Sequence, residues 1–323
     1  MGLAKDILSQ YKTLPYPTKP FTNQTIVITG SNIGLGLEAT RHFARLEAAK
    51  IILAVRSIEK GEAAKASIEE RTARKGVCEV WEVDLSSYES VKRFGHRLET
   101  LDRLDVFVAN AGINTRKWTV VEGMESQIVV NCISPLLMGI MVLPKLRESA
   151  VRNGTAGVLT YTGSFVHWLT AFPERKFERL FEGLAEKERA RMTDRYNVSK
   201  MVEMLAVREL AEQVTRSGKE GRVVVSQSNP GWVATNISAS EPFPWFVRAL
   251  KKVMARDTEM GSRTIVNAAE GGEETHGKYL SDCAPDVINP FVTSEDGAQA
   301  QKKVWSELCQ LLETIEPGVT SNI

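Results

Sequence analysis

The chain has 323 residues, a length that allows one large domain or two modest ones. Its 41 Lys and Arg residues against 40 Asp and Glu leave a net charge of +1, and no basic patch is concentrated enough to hold nucleic acid or an anionic membrane. The four cysteines lie far apart without a CxxC pair, which argues against a metal site or a disulfide scaffold.

Residues 1–21 form a leader punctuated by prolines, and this leader lacks the apolar core of a signal peptide. No apolar run approaches transmembrane length, so we expect a cytoplasmic protein without a membrane span. Residues 22–323 contain no internal repeat, low-complexity tract or linker, and we predict that they form a single domain.

Short apolar runs alternate with helical patterns throughout this domain. The predicted strands are 25–29, 50–56, 78–86, 104–112, 157–164, 222–231 and, more weakly, 277–282. The predicted helices are 33–46, a segment ending near 74, 87–101, 122–147 and 198–215. Such alternation requires crossover connections and hence a parallel sheet covered on both faces. We therefore predict the α/β class, with a doubly wound (Rossmann) parallel sheet of about seven strands.

A glycine-rich turn, TGSNIGLG, lies between the first strand and the first helix. Glycines allow a tight turn and a close approach to a pyrophosphate, which the N-terminus of the following helix then faces. The spacing is GxxxGxG, and a plain glycine-rich turn is the alternative. The cofactor-binding residues predicted here are Gly30, Ser31, Asn32, Ile33, Gly34 and Gly36.

The end of the second strand indicates which dinucleotide binds. An NAD site normally places an acidic residue there for the ribose hydroxyls, whereas this chain has Arg56 and no carboxylate until Glu59. A guanidinium pairs well with a 2′-phosphate, so we predict NADP(H). The alternative is that Arg56 is only a solvated strand end.

Further candidates stand at later strand ends, where ligands of such sheets bind. Asp84, followed by Leu85, is placed either to accept a hydrogen bond from an adenine amino group or to serve a helix N-cap region. Small residues after the fourth strand let a flat ring pack against backbone. The remaining cofactor candidates are Asn110, Ala111, Gly112, Pro230, Gly231, Val233 and Thr235.

The stretch RYNVSK places Tyr196 one helical turn before Lys200, on the same face of a helix. A nearby cation favours phenolate and lowers a tyrosine pKa from its reference of about 10, which gives an acid/base usable near neutral pH. The same spacing also arises by chance, so the pair by itself does not establish catalysis.

Over residues 22–240 the sequence resembles the short-chain dehydrogenase/reductase family. The resemblance consists of five motifs in a fixed order: TGxxxGxG, NAG, a serine closing the fifth strand, Tyr-x-x-x-Lys and PGxVxT. Within this family, the sequences of the second and third strands and the segment GKYLSDCAP near the C-terminus look most like the retinol-dehydrogenase-like branch, especially its fungal members. The resemblance implies a tyrosine that transfers the proton, a lysine that lowers its pKa and holds the nicotinamide ribose, a serine that hydrogen-bonds the reacting oxygen and an asparagine that retains a relay water. These catalytic positions fall on Tyr196, Lys200, Ser164 and Asn131.

A charged insert, about 165–195, separates the fifth strand from the helix with the tyrosine and is predicted to be helical. It is either a surface helix packed on the domain or a flap over the substrate mouth. The resemblance also implies a substrate lid at about 232–260. Aromatic residues in these segments predict an apolar pocket for a bulky substrate, although His167 could instead be a hydrogen-bonded structural histidine. The candidate pocket residues are Phe165, His167, Trp168, Trp232, Phe243, Trp245 and Phe246.

We therefore expect an NADPH-dependent reductase acting on a ketone or aldehyde of a bulky hydrophobic metabolite, polyketide- or terpenoid-like. The alternatives are an NADP-dependent alcohol dehydrogenase for a retinoid or steroid and a non-redox binding protein or isomerase. The four catalytic positions favour an enzyme, and no metal is implied. Helices 122–147 and 198–215 are those through which many relatives dimerise, so the chain is either a homodimer or a monomer.

Overall fold

The computed structural model describes residues 9–235, 237 and 254–323, and its centre is a twisted, mostly parallel sheet. The strands are β1 (Thr25–Thr29), β2 (Lys50–Val55), β3 (Cys78–Glu82), β4 (Val106–Ala109), β5 (Val120–Val121), β6 (Met124–Glu125), β7 (Gly157–Thr162), β8 (Val223–Asn229), β9 (Tyr279–Ser281) and β10 (Ala284–Pro285). Within the described residues, eight of them form one sheet in the order β10-β9-β8-β7-β4-β1-β2-β3. The β9–β10 pair is antiparallel and the other pairs are parallel. The strands β5 and β6 form a separate hairpin.

Helices cover both faces of the sheet because side chains of successive strand residues point to opposite sides. The helices are α1 (Gly34–Arg45), α2 (Ile58–Thr72), α3 (Tyr88–Glu99), α4 (Ser126–Asn153), α5 (Leu180–Ala185), α6 (Arg195–Arg216), α7 (Thr258–Ala269), α8 (Pro290–Thr293) and α9 (Glu295–Ile315). Ile26 and Ile28 of β1 lie in the core under α1, α2 and α7. Val27, between them, lies in the core under α3, α4, α6 and α9.

The predicted α/β class and doubly wound parallel sheet are confirmed. The strands are shorter than the apolar runs suggested, since the third predicted strand, 78–86, ends at Glu82 and the fourth, 104–112, ends at Ala109. The residues after these ends leave the sheet as loops on one edge, where a ligand of such a fold binds.

Helix α4 is 28 residues long and contains an 18-residue stretch that is apolar enough, by length and composition, to cross a bilayer. This corrects the expectation that no apolar run approaches that length. Its apolar stretch is wholly buried inside the protein, as in the core helix of a globular domain. Near its start the helix widens into a π-helical turn, Val129–Ile133, a feature often found at functional sites.

The insert at 165–195 consists of short helical pieces joined by turns rather than one continuous helix. Its α-helical part is the six-residue α5, with 3₁₀ turns before and after it. Leu180 and Leu184 are buried, and the backbone N–H of Phe181 donates to Glu307 of α9 at 3.1 Å. The insert therefore packs on the domain along α9.

The described part of the leader, residues 9–21, is fastened to the domain. Leu14 and Phe21 are almost fully buried. The guanidinium of Arg263 donates to the Leu14 carbonyl at 2.6 Å, and Arg45 donates to the Pro17 carbonyl at 2.6 Å. The segment therefore lies across α1 and α7.

Helix α6 is covered by the chain's own C-terminal helix. Leu308 and Leu312 of α9 are buried in the core that α6 also lines. Gln301 of α9 donates to Glu209 of α6 at 2.7 Å and accepts from Arg208 at 3.2 Å.

The last residues of the chain cover α4 in the same way. Arg147 of α4 donates to the carbonyl of Asn322, and Val319 is buried in the same core. On α4 and α6, both described throughout, Val151 is the one large apolar side chain that is exposed. We propose on this ground that the protein is a monomer, because the faces through which relatives dimerise are already covered.

Sedimentation equilibrium over a range of micromolar concentrations should therefore give a single mass near 35.8 kDa. The physical reason is that Val151 is the one large apolar side chain exposed on these two helices, which is far less apolar area than a stable dimer buries. A mass near twice that value, independent of concentration, would contradict the proposal.

Candidate active site

The glycine turn between β1 and α1 needs glycine at Gly30 and Gly34 for its backbone conformation and at Gly36 for space, and we call this turn the cradle. Gly30 and Gly34 have φ of +67° and +61°, in the left-handed region that favours glycine. A Cβ on Gly36 would lie 2.5 Å from the Gly30 carbonyl oxygen and 2.7 Å from Nδ2 of Asn110. At the same turn, the hydroxyl of Ser31 is buried without a hydrogen-bond partner among the described residues. On the open side, Asn32 is half-buried and Ile33 is 55% exposed.

The loop after β4 is tied to the end of β1. The backbone N–H groups of Asn110 and Ala111 both donate to Oγ1 of Thr29 at 2.9 Å, and Nδ2 of Asn110 donates to the Thr29 carbonyl at 2.9 Å. Gly112 follows against Asn131, whose Oδ1 would lie 3.1 Å from a Cβ there. These bonds fix the start of the loop after β4 against the end of β1.

Asn131 lies in the π-helical turn of α4 and is fully buried. Its amide accepts from the backbone N–H of Ile113 at 2.8 Å and donates to the Ile113 carbonyl at 2.9 Å. It also donates to Oγ of Ser199 on α6 at 3.0 Å. The side chain therefore holds the loop after β4 against α6, and its part in a proton relay stays a prediction.

The loop after β8 faces the glycine turn across the same edge of the sheet. The methyl group of Thr235 lies 4.0 Å from the point where a Cβ on Gly34 would stand. Pro230 and Val233 are buried, and Gly231 donates to Oδ1 of Asn229 at 3.1 Å. The predicted residues of this loop therefore lie opposite the cradle.

Asn229 is a functional residue that the sequence interpretation missed. Its Oδ1 also accepts from the backbone N–H of Phe165 at 3.2 Å. The single amide thus links the loop after β8 to the residue next to Ser164. The sequence Asn-Pro-Gly could have indicated this residue, because an Asn before Pro-Gly often forms a side-chain hydrogen bond with the backbone of its own turn.

Asp84, Leu85 and Arg56 occupy the ends of β3 and β2. Oδ1 of Asp84 accepts from the backbone and the hydroxyl of Ser86 at 2.9 and 2.7 Å, so this oxygen is used locally near the N-cap of α3. The Leu85 carbonyl accepts from the Ser134 hydroxyl at 2.7 Å and fixes α4. Arg56 is exposed at the end of β2, directly before the N-cap residue of α2.

Tyr196, Ser164 and Lys200 come together where β7 ends against the first turn of α6. The Ser164 side chain lies near enough to the Tyr196 phenol to lower the pKa of that phenol by hydrogen bonding. Lys200, one turn further along α6, is 5% exposed, and its Nζ donates to the Thr162 carbonyl at 2.8 Å. The predicted catalytic residues are therefore brought together at the carboxyl edge of the sheet.

A buried carboxylate, Glu203, completes this group and was not among the predicted site residues. Its Oε2 accepts from Nζ of Lys200 at 2.9 Å and from Nε2 of Gln227 at 3.1 Å. A signal was present in the sequence, because residues i and i+3 of a helix are neighbours.

The expected lowering of the Tyr196 pKa is not what the structure shows for the protein alone. Burial raises the pKa of Tyr196, and the negative charge of Glu203 raises it further. The ammonium of Lys200 and the hydrogen bond with Ser164 lower it without reversing the direction. The phenol is therefore protonated at neutral pH, and the lysine, by opposing the effect of burial, makes it a stronger acid than burial alone would leave it.

His167 is fully buried, which removes it from the surface of an open pocket and from an acid/base role. Its Nδ1 donates to the Ser164 carbonyl at 2.8 Å, and its Nε2 accepts from the backbone N–H of Asn289 at 3.3 Å. Burial lowers its pKa to about 4, so the ring is neutral at pH 7. The histidine positions the backbone of Ser164.

Three of the other six candidate pocket residues lie near the ends of β7 and β8, and the remaining three lie outside the described residues. Phe165, Trp168 and Trp232 are half-buried near the ends of β7 and β8, and the indole N–H of Trp168 is buried without a partner among the described residues. Phe243, Trp245 and Phe246 lie outside the described residues, as does most of the predicted lid at 232–260.

These residues fit a nicotinamide dinucleotide. A tight glycine turn at the start of α1 and the Ser31 hydroxyl, which has no partner among the described residues, suit phosphate oxygens. A phenol, a serine and an ammonium at the opposite end of the same edge suit a reacting oxygen and ribose hydroxyls. The cradle residues and Lys200 would hold the dinucleotide.

Comparisons with known proteins agree with this site. A family model described as short chain dehydrogenase matches residues 24–165. The short chain dehydrogenase/reductase dmxR8 of Cryptosporiopsis sp. (strain 8999) is 43% identical over 318 residues, which is 97% of either chain. The short chain dehydrogenase atnD of Emericella nidulans is 43% identical over 285 residues, 87% of this chain and 90% of that protein.

The fold agrees with that of a solved short-chain dehydrogenase from Sphingobium yanoikuyae in complex with NADPH. The TM-score is 0.61 at 19% identity, covering 85% of this chain and 93% of that one. With the site and the relatives together, the chain belongs to the short-chain dehydrogenase/reductase family. It is an oxidoreductase of the kind that uses NAD(H) or NADP(H).

The neutral state of His167 should make stability depend on pH. Because its folded pKa, about 4, lies below the usual 6.5, its contribution is complete above pH 6.5 and is lost as the pH falls toward 4. From pH 7 to pH 5, the free energy of unfolding of the wild type should fall by about 2 kcal/mol more than that of His167→Gln. Urea unfolding at the two pH values measures this, and a constant difference between the two proteins would contradict it.

Proposed function

We propose that the protein is an NADPH-dependent reductase that acts on a ketone or aldehyde of a bulky hydrophobic metabolite in fungal secondary metabolism. The observation that carries this proposal is the placement of the Tyr196 phenol beside the Ser164 side chain, one helical turn from the buried ammonium of Lys200. This group stands on the sheet edge that also holds the glycine cradle.

The dinucleotide, when bound, supplies a hydride to the carbonyl carbon. The carbonyl oxygen then gains negative charge, so a donor must stand ready beside it. Tyr196 supplies the proton to that oxygen, and Ser164 donates a second hydrogen bond to it. Lys200 keeps the phenol acidic against the effect of burial.

The preference for NADPH rests on Arg56. Its side chain is exposed at the end of β2, where the ribose of an adenosine lies in this fold. The next residue is a serine that caps α2, and the first carboxylate belongs to Glu59 inside that helix. A free guanidinium in this position attracts a 2′-phosphate. The solved relative with NADPH supports the same preference.

The preference for a bulky apolar substrate rests on three aromatic side chains. Phe165, Trp168 and Trp232 flank Ser164 at the ends of neighbouring strands, and each is partly open to solvent. Aromatic side chains in a concave site bury apolar ligands and leave a small number of polar groups to orient them.

Tyr196→Phe should reduce carbonyl reduction by about 10²–10⁴-fold, because the variant lacks the proton donor. The affinity for NADPH should remain within a few fold, since the hydroxyl faces the substrate oxygen. Consumption of NADPH against a panel of bulky ketones and aldehydes gives the rate, and the reverse assay with alcohols and NADP⁺ tests the opposite direction. Tyr11→Phe, which removes the same atom from an exposed side chain, is the control. Full turnover by Tyr196→Phe would show that the assigned acid is wrong.

Arg56→Asp should shift the preference from NADPH toward NADH by about tenfold or more, because a carboxylate repels the 2′-phosphate and accepts from the ribose hydroxyls. The ratio of kcat/KM for the two dinucleotides is the measurement. Arg71→Asp makes the same charge change on an exposed side chain in the last turn of α2, at the opposite edge of the sheet. An unchanged ratio in Arg56→Asp would refute the assignment.

A further inference from the structure

We propose that Glu203 is a positioning residue that holds the Lys200 ammonium in the site and keeps it charged. The proposal rests on the proposed function, because it concerns the lysine of the same site. Glu203 touches neither the reacting atoms nor the cradle. It acts through Lys200.

The contacts of the Lys200 ammonium carry this inference. Nζ donates to a neutral carbonyl, that of Thr162, at 2.8 Å and to the carboxylate of Glu203 at 2.9 Å. Both charged side chains are almost fully buried, with Lys200 5% and Glu203 2% exposed. A buried ammonium without a counter-charge loses its proton readily, so the carboxylate decides the charge of the lysine.

The carboxylate is itself held in place by the sheet. Nε2 of Gln227, on β8, donates to the same oxygen that accepts from Lys200, at 3.1 Å. The Gln227 side chain packs under Gly163, where a Cβ would come within 2.6 Å of its Cδ. Strand β8 and the residue before Ser164 therefore fix Glu203, which in turn fixes Lys200.

The charges of the pair depend on each other. Burial lowers the pKa of Lys200, but the charge of Glu203, followed by that of Tyr196, outweighs burial and raises it. Burial raises the pKa of Glu203, and the charge of Lys200 with the hydrogen bonds of Lys200 and Gln227 opposes that rise without reversing it. The direct contact between Nζ of Lys200 and Oε2 of Glu203 at 2.9 Å is that of an ion pair. Glu203 thus favours the ammonium form, while its charge also makes Tyr196 a weaker acid.

Other titratable groups face the pair from the neighbouring elements. The Cys132 thiol lies on α4 and the Tyr161 phenol on β7. Burial raises the pKa of each, and the charge of Glu203 raises it further, so both stay neutral. They leave Glu203 as the counter-charge that Lys200 contacts.

The test is the pH dependence of NADPH affinity in Glu203→Gln, measured by nicotinamide fluorescence with the full chain. Without the counter-charge, Lys200 should lose its proton at lower pH. The midpoint of the alkaline loss of affinity should therefore fall by about one pH unit or more. Making both proteins in the Tyr196→Phe background removes the titration of the phenol. The alkaline limb of ketone reduction in proteins that retain Tyr196 should move in the same direction.

Glu209→Gln is the matched control. It makes the same change at a buried carboxylate of the same helix, six residues further on, where the partners are Gln213 and Gln301. Its midpoint should equal that of the wild type. Glu203→Asp, which keeps a carboxylate one methylene further away, should lie between the wild type and Glu203→Gln, and it carries the test if Glu203→Gln does not fold.

The outcomes separate the two proposals. Dinucleotide binding with an unmoved midpoint in Glu203→Gln, or in Glu203→Asp where that variant carries the test, overturns the role of Glu203 and leaves the proposed function standing. An equal shift in Glu209→Gln also overturns it, because the effect would then come from the helix as a whole. Absence of binding to both NADPH and NADH in the wild type overturns the proposed function, and the role of Glu203 with it.

Discussion

A lysine ammonium enclosed by protein is the constraint on which the architecture of the site depends. A charge removed from water must find oxygen partners at hydrogen-bond distance, and Lys200 finds them in the Thr162 carbonyl and the carboxylate of Glu203. One partner belongs to β7 and the other to α6, so the charge fixes the distance between helix and sheet. That distance brings the first turn of α6 to the end of β7, where Tyr196 reaches Ser164.

The fold and the first layer of the site could be predicted because their physical causes leave periodic marks in the sequence. Strands buried on both faces leave short, continuous apolar runs, and closely spaced glycines between a strand and a helix indicate the turn. The pair Tyr196 and Lys200 follows from the pitch of a helix. The two-residue strands β5, β6 and β10 were not predicted, because a strand of two residues is too short to show a periodic pattern in the sequence.

The electrostatics could not be predicted in the same way, because the sign of a pKa shift depends on what surrounds a group. The spacing suggested that Lys200 lowers the pKa of Tyr196, but burial and Glu203 decide the direction. The orientation of Glu203 depends on Gln227, 24 residues further along the chain. His167 had the aromatic neighbours of a pocket residue, yet backbone groups of Ser164 and Asn289 hold it in the interior. The covering of α6 by α9 likewise depends on contacts between distant parts of the chain.

The fastening of residues 9 and 10 has a consequence for the substrate side of the molecule. Gln10 accepts from the backbone N–H of Trp232 at 2.9 Å, and the Ser9 carbonyl accepts from Arg256 at 2.6 Å. Trp232 and Arg256 also bond to each other through their backbones, so one clasp closes the chain on both sides of the segment 236–253. Residues 9 and 10 thus hold the backbone of Trp232 just after β8, although the catalytic residues belong to other elements. Loss of residues 9 and 10 would therefore release the backbone beside Trp232, while the bonds of Lys200 in the interior would stay in place.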